Sequence, residues 1–410
     1  MSDFLVNFPN STIEPPMTEE EAAVRDACNK FAREVMRPAG IKLDKLSAEE
    51  MIAPGSKFWD VMEGAKDLGL SVKAMAEIEP VQRARLFAIA TEEMSWGDVG
   101  LAAAVLVQNM PALYALIANN QEMLDYCDGK RGCWAITEPD HGSDNLDPGN
   151  TSAHPKGEIS RPNCVAQIQG DKIIINGQKS AWVSGAMTAE ICALYCHTII
   201  DGRPQQGIAV IVPLDAPGVS RGKPLEKMGA RCLNQGELFF DNVEVPISHL
   251  LVGPDQYKDF LHHTLSNANP YTGLVFVGAG RAAYELALAY AHDRKAGGVP
   301  LIKHQNVQYR LFHMFRKLEA ARALLHRTLA YNASAETPSL IGACSSKITA
   351  TQFGFEVANE ALQIFGGNGM TKEYPLEKLL RDARAGLIAD GCNEFLAIAG
   401  GRQLMNSDLF

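Results

Sequence analysis

Three groupings of residues in this 410-residue chain have types and spacings that could carry chemistry. Gly278, Gly280 and Ala283 spell G-x-G-x-x-A directly after the apolar run Leu274 to Val277, the spacing with which a strand, turn and helix cradle the diphosphate of a dinucleotide. That use demands a following parallel strand and an acidic side chain about twenty residues on. The stretch after Ala283 keeps a helical pattern instead, so these small residues are expected to let helices pack closely. Cys192, Cys196 and His197 bring thiols and an imidazole together, yet no second ligand pair at zinc-finger spacing accompanies them, and no metal is expected. Asp390-Gly391-Cys392 offers a carboxylate within a pair that commonly forms a turn. Its spacing alone leaves open whether the carboxylate caps the turn or acts in chemistry.

The elements that must position such groups change character along the chain. Thr18 and Glu21 form a capping box ahead of Val24, Ala27, Cys28, Phe31 and Val35 at helical spacing, and Pro38 is expected to close that helix. Helical patterns continue through Lys57 to Leu68 and Val81 to Met94. The apolar stretch Leu101 to Ala118 carries Gln108, Asn109 and Pro111, which reads as a buried helix and not as a membrane span. From Cys133 onward the runs Ile173 to Ile175, Ile191 to Tyr195, Gly207 to Val212 and Leu238 to Val245 are short and β-rich, between Gly, Pro and Asn breaks. Residues 145–162 read as a surface loop. After Asp255, Val277 to Asp293, His304 to Ala333 and Ser345 to Ile364 are long helical units, which suggests a bundle. The organisation expected is an α+β chain with a helical domain over 1–131, a β domain over 132–252 and a helical bundle over 253–410.

A chain of this length can bury a ligand between domains, and 46% hydrophobic with 21% charged residues is the balance of a folded globular protein. The net charge of −10 opposes strong binding to nucleic acid, which needs clustered Lys and Arg. Nine cysteines, an odd number in mostly apolar surroundings and after no secretory signal, fit reduced thiols in a cytoplasm.

The segment Cys-Trp-Ala-Ile-Thr-Glu-Pro-Asp-His-Gly-Ser-Asp at 133–144 resembles the signature that opens the β domain of acyl-CoA dehydrogenases. Ile-Asn-Gly-Gln-Lys-Ser-Ala-Trp-Val-Ser-Gly at 175–185 and the stretch from Gly229 through Pro246 are similar to the same family, in the correct order. The resemblance spans nearly the whole chain and implies the three-part fold, FAD as cofactor and a CoA thioester as substrate. It places Trp134, Ile136, Thr137, Trp182 and Ser184 around the flavin ring, with Thr137 at the pyrimidine and Trp182 and Ser184 packing on the ring or bonding near N5. Ser143 falls near the thioester end of CoA. Arg294, Gln305, Gln363, Gly366 and Gly367 match positions that hold the FAD diphosphate and adenine, partly across a dimer interface, and Cys392 and Glu394 are assigned to the same cofactor. A homotetramer built as a dimer of dimers, or a heteromer, is implied, with electrons leaving to an electron-transfer flavoprotein.

Many relatives carry their catalytic base in a Glu-Gly-Thr motif after Arg-Asp-Ala. Here Arg381-Asp382-Ala383 is followed by Asp390-Gly391-Cys392, so the resemblance assigns the base to Asp390 and leaves Gly391 at the substrate. Aspartate has a similar reference acidity but is shorter by one C–C bond, about 1.5 Å. Other relatives use a glutamate from an earlier helix, yet the position near Ala268 holds no acid, and Asn269, assigned to substrate binding, replaces their arginine. The phenylalanine that follows Arg-Lys-x in the family is Gly297 here. The resemblance thus implies dehydrogenation of an acyl-CoA, of an alicyclic or bulky acyl group in one branch. It also admits an oxidase, a monooxygenase, a desulfinase, or a non-catalytic subunit of a heteromeric dehydrogenase.

Overall fold

The computed structural model describes residues 16–148, 161–200 and 203–405. The first third is helical: α1 Glu19–Phe31, α2 Arg37–Leu43, α3 Ala48–Ile52, α4 Lys57–Lys66, α5 Val72–Met75, α6 Pro80–Gly97, α7 Val99–Gln108, α8 Met110–Ile117 and α9 Gln121–Cys127. The Thr18–Glu21 capping box is present. Pro38 does not end the helix as expected. The helix runs on through a π-turn over Ala32–Met36 into α2, and Pro38 follows directly on that π-turn, the kind of local adjustment of the hydrogen-bond ladder that accommodates a residue lacking a donor. The apolar stretch from Leu101 to Ala118 is α7 and α8, bent by 45° between them. Most of its side chains are buried or half-buried.

The middle strands are β1 Gly132–Ala135, β2 Cys164–Gln169, β3 Lys172–Ser184, β4 Ile191–Ile200, β5 Arg203–Pro213, β6 Val219–Arg221, β7 Gln235–Pro246 and β8 Leu250–Val252. They form one sheet in the order β6-β7-β3-β1-β4-β5-β8, with β2 pairing to both β3 and β4. Alternation along β4 sets its two faces. Ile191, Ala193 and Tyr195 pack toward the helices, while Cys192, Leu194 and Cys196 line the inner core of the β domain. Burial pushes the Cys192 thiol well up, a hydrogen bond with Cys164 and then burial do the same to Cys196, and burial takes His197 down to about 4, so these groups are neutral side chains at neutral pH. Most of the loop read at 145–162 lies outside the described residues.

The last third holds α10 Tyr257–Asp293, a two-stranded hairpin of β9 Lys295–Ala296 and β10 Val299–Pro300, then α11 Gln305–Ser334, α12 Leu340–Phe365, α13 Leu376–Arg384 and α14 Asn393–Leu404. Helix α10 starts twenty residues before the sequence pattern suggests, and it continues through Pro270. Proline removes one donor to the carbonyl four residues back. That carbonyl, on Ser266, is taken instead by Asn332 Nδ2 of α11 at 2.7 Å. By length and composition α10 could cross a membrane, but 83% of its apolar window is buried inside the protein. Gly278 and Gly280 sit mid-helix, as close packing requires: a Cβ on Gly278 would lie 2.7 Å from the Glu92 carbonyl of α6, and one on Gly280 would lie 3.2 Å from Gly354 Cα of α12. Across the same contact Arg281 pairs with Glu92 at 2.7 Å and Glu93 at 2.6 Å.

Candidate active site

After α13 the chain makes a short 3₁₀ turn at Ala385–Leu387 and then a tight turn into α14. Asp390 lies at its apex with φ +51° and Gly391 follows with φ +93°, the left-handed conformations that aspartate tolerates and glycine favours. Three other elements fix this turn. Lys347 of α12, fully buried, donates to the Gly391 carbonyl at 2.8 Å and to Asn393 Oδ1 at 2.9 Å. The Cys392 N–H donates to Ser143 Oγ at 3.1 Å. Thr272 Oγ1 of α10 donates to Asp390 Oδ2. The carboxylate is therefore held by a distant helix and is not spent on capping its own turn. Burial pushes the Lys347 amine down to about 8, against an upward pull from Asp390.

Around this carboxylate several polar side chains are buried. Tyr114 of α8 is fully buried, and its phenol is pushed well up by burial, with Tyr195 and Asp390 as further causes. Asn269 of α10 is fully buried one turn before Thr272. Among the described residues neither the Tyr114 hydroxyl nor either end of the Asn269 carboxamide has a hydrogen-bond partner. Trp134 packs edge-on against Tyr114 at 5.7 Å and Tyr195 at 6.0 Å between ring centroids, and its indole Nε1 is likewise buried without a partner.

The residues assigned to the flavin ring lie on β1, on the two residues that follow it and on β3, where Trp134 is directly opposite Ser184. Thr137 Oγ1 and Ser180 Oγ are 2.8 Å apart. The Ile136 carbonyl accepts from Lys179 Nζ at 3.0 Å and Asn145 Nδ2 at 3.1 Å, which pins the strand end. Ser184 Oγ accepts from Gln235 at 3.0 Å, while Trp182 is 60% exposed. An exposed indole, a buried indole N–H without a partner and a hydroxyl pair between β3 and the segment after β1 suit a flat aromatic ligand with polar edges.

Arg294, Gln305, Gln363, Gly366 and Gly367 form a second group, all exposed. Tyr290 stacks on Phe365 at 3.9 Å and its hydroxyl accepts from Asn368 at 2.9 Å, so the C-terminal end of α10 lies beside the C-terminal end of α12. Thr272 and Arg294 are twenty-two residues apart on one helix, about 33 Å at 1.5 Å per residue. The structure thus brings together Asp390, Gly391, Cys392, Ser143, Asn269 and the β1 strand, and leaves the Arg294 group at the other end of α10. Glu394 is exposed in the first turn of α14. Sequence reasoning missed Thr272, Lys347 and Tyr114. A lone lysine among Ala343, Cys344, Ala350 and Thr351 at helical spacing was the one signal available for Lys347.

Residues 133–243 match the family model for the acyl-CoA dehydrogenase middle domain, and residues 260–405 that for the acyl-CoA dehydrogenase C-terminal domain. The chain is 30% identical over 404 residues to the mitochondrial short-chain specific acyl-CoA dehydrogenase of Rattus norvegicus, covering 95% of this chain and 91% of that one. It is 28% identical over 403 residues to the benzylmalonyl-CoA dehydrogenase of Aromatoleum aromaticum, covering 95% and 98%. Among solved structures it is similar to a glutaryl-CoA dehydrogenase of Mycobacterium smegmatis in complex with FADH2, with a TM-score of 0.77, 21% identity and 95% of both chains covered.

Proposed function

Since this chain belongs to the acyl-CoA dehydrogenase family, we propose that Asp390 is the base with which it removes a proton from the carbon next to a CoA thioester carbonyl. Family membership makes it an FAD-dependent oxidoreductase acting on an acyl-CoA. The single observation that supports Asp390 is its tether: a carboxylate at a turn apex, presented by Thr272 of α10 and backed by Lys347 of α12. A base must hold its position against the substrate carbon, and a shorter side chain has less slack with which to find it. The left-handed turn and its three anchors supply that position from the backbone.

Bound FAD supplies the hydride acceptor for the adjacent carbon. Trp134, Ile136, Thr137, Trp182 and Ser184 would hold its ring, and Arg294, Gln305, Gln363, Gly366 and Gly367 its diphosphate and adenine. The separation of these groups along α10 supports an FAD site completed by two chains, and with it a homotetramer or a heteromer. Electrons then leave to an electron-transfer flavoprotein, a reading tested by whether such a protein reoxidises the reduced enzyme faster than air does. The acyl group is bulky or alicyclic in this proposal, since a shorter base suits a substrate carbon that lies nearer the backbone at 390.

The test is anaerobic flavin bleaching by a series of acyl-CoAs. Asp390→Asn should slow bleaching by the best substrate by roughly 10²–10⁴ while the flavin stays bound. Unchanged bleaching would remove Asp390 from the role.

A further inference from the structure

We propose that Tyr114 and Asn269 form a polar subsite that selects an acyl group carrying an uncharged oxygen function, a hydroxyl or a carbonyl, over a plain alkyl group. The inference rests on the reading that the acyl group lies against Asp390.

Both side chains are fully buried, and three of their polar atoms have no partner among the described residues. Buried polar atoms are normally satisfied, and this protein satisfies comparable ones close by. The Tyr195 hydroxyl, next to Tyr114, bonds Thr264 Oγ1 at 2.9 Å. Asn332, also buried, donates to the Ser266 carbonyl at 2.7 Å and accepts from the Ser339 N–H at 2.8 Å. Among the buried polar atoms without a partner, those of Tyr114 and Asn269 lie toward Asp390. The Tyr114 ring is wedged edge-on among Trp134, Tyr195 and Phe260 at centroid distances of 5.7, 5.6 and 6.5 Å, which fixes where its hydroxyl points, and that hydroxyl feels the Asp390 charge. Asn269 precedes by one turn the threonine that holds Asp390. Leu265, one turn earlier again, packs in the same apolar cluster as Tyr114. A strip of α10 from Leu265 through Asn269 to Thr272 therefore runs between the tyrosine and the carboxylate.

A neutral phenol gives one donor, and a carboxamide gives donors and an acceptor. A substrate hydroxyl can accept from one of these donors and donate to the carboxamide oxygen, a carbonyl can accept from both donors, an alkyl tail does neither, and a second carboxylate would be repelled by Asp390. Sites built to bond a substrate oxygen discriminate strongly against analogues lacking it, because their own polar groups are then left unpaired.

The experiment measures dissociation constants from the flavin absorbance shift, with holoenzyme carrying Asp390→Asn. The probes are two matched pairs, butyryl-CoA with 4-hydroxybutyryl-CoA and cyclohexanecarboxyl-CoA with 4-oxocyclohexanecarboxyl-CoA. The oxygenated member of at least one pair should bind at least about tenfold tighter, and Tyr114→Phe and Asn269→Leu should each bring that ratio close to one. Tyr114→Phe should leave the thermal stability of the substrate-free protein unchanged or raised, because the hydroxyl it removes makes no internal bond. No preference in either pair, a preference kept by both variants, or a fall in stability for Tyr114→Phe would each overturn the subsite. These readings need no turnover. If Asp390→Asn still bleaches with substrate, the assignment of the base fails on its own while the affinity ratios still judge the subsite.

Discussion

The two ends of α10 hold polar side chains under opposite conditions. Near Thr272 they are buried or half-buried, converge from α8, α10, α12 and the turn before α14, and include the carboxylate, the lysine that braces its turn and the serine that caps it. About 33 Å away along the helix, Arg294 and its neighbours at the ends of α11 and α12 stand exposed. A charged group that meets its partners inside one chain loses its water during folding, whereas an exposed arginine keeps its hydration until a ligand or a second chain arrives. The end that carries the base in our proposal is thus built by folding alone, and the other end stands open to a ligand or a second chain.

Variants at the two ends should separate these conditions. Asp390→Asn, with the largest expected effect, stops bleaching without releasing flavin. Arg294→Ala should do the reverse, weakening FAD by roughly tenfold to a hundredfold through loss of charge-assisted hydrogen bonds, seen as flavin lost on gel filtration and as a shift of the oligomer toward smaller species. If Arg294→Ala kept its flavin while Asp390→Asn lost it, the contrast between the ends would be broken. Lys347→Met should slow bleaching by about tenfold and lower stability, since the Gly391 carbonyl and Asn393 Oδ1 then lose their donor, each worth about 1–3 kcal/mol when left unmade. A pH signature accompanies it. Folded Lys347 releases its proton near pH 8, while the unfolded chain keeps it to about 10.4. Stability from urea unfolding should therefore rise with pH across that window in the wild type, with the full penalty present below pH 8. The methionine variant should lack this rise.

The order of helices, strands and helices was legible because the apolar period changes twice, near Cys133 and near Asp255. The dinucleotide-like glycines were readable as packing glycines from the same periodicity. What stayed hidden was long-range: Pro270 reads as a break until Asn332, sixty-two residues later, is seen to take the carbonyl it frees. Thr272, Tyr114 and Lys347 escaped for a related reason. The importance of Thr272 and Lys347 comes from a partner more than forty residues away, and that of Tyr114 from burial among rings of β1, β4 and α10, none of which a local pattern records. Asp390 was picked out by its motif, but whether its carboxylate capped a turn or faced outward from it depended on α10.

The smallest predicted effect concerns Gly297, where relatives carry phenylalanine. Gly297 and Gly298 are the two turn residues of the β9–β10 hairpin, with φ of +59° and +84°, the left-handed pair that a two-residue hairpin turn of the primed type requires. Glycine enters this conformation freely, whereas other L-residues give up about 1–2 kcal/mol there. The hairpin follows Arg294 directly, and the Leu301 N–H closes back onto the Arg294 carbonyl at 2.8 Å, so the turn helps fix where the arginine's backbone lies. Gly297→Phe should consequently destabilise the protein by about 1–2 kcal/mol in urea and change FAD affinity by less than about threefold, because the added ring sits on a turn whose backbone has no freedom to swing it inward. Should the phenylalanine instead tighten FAD with no loss of stability, the hairpin would be a yielding one. The exposed end of α10 would then differ from its relatives by one absent side chain and not by its backbone.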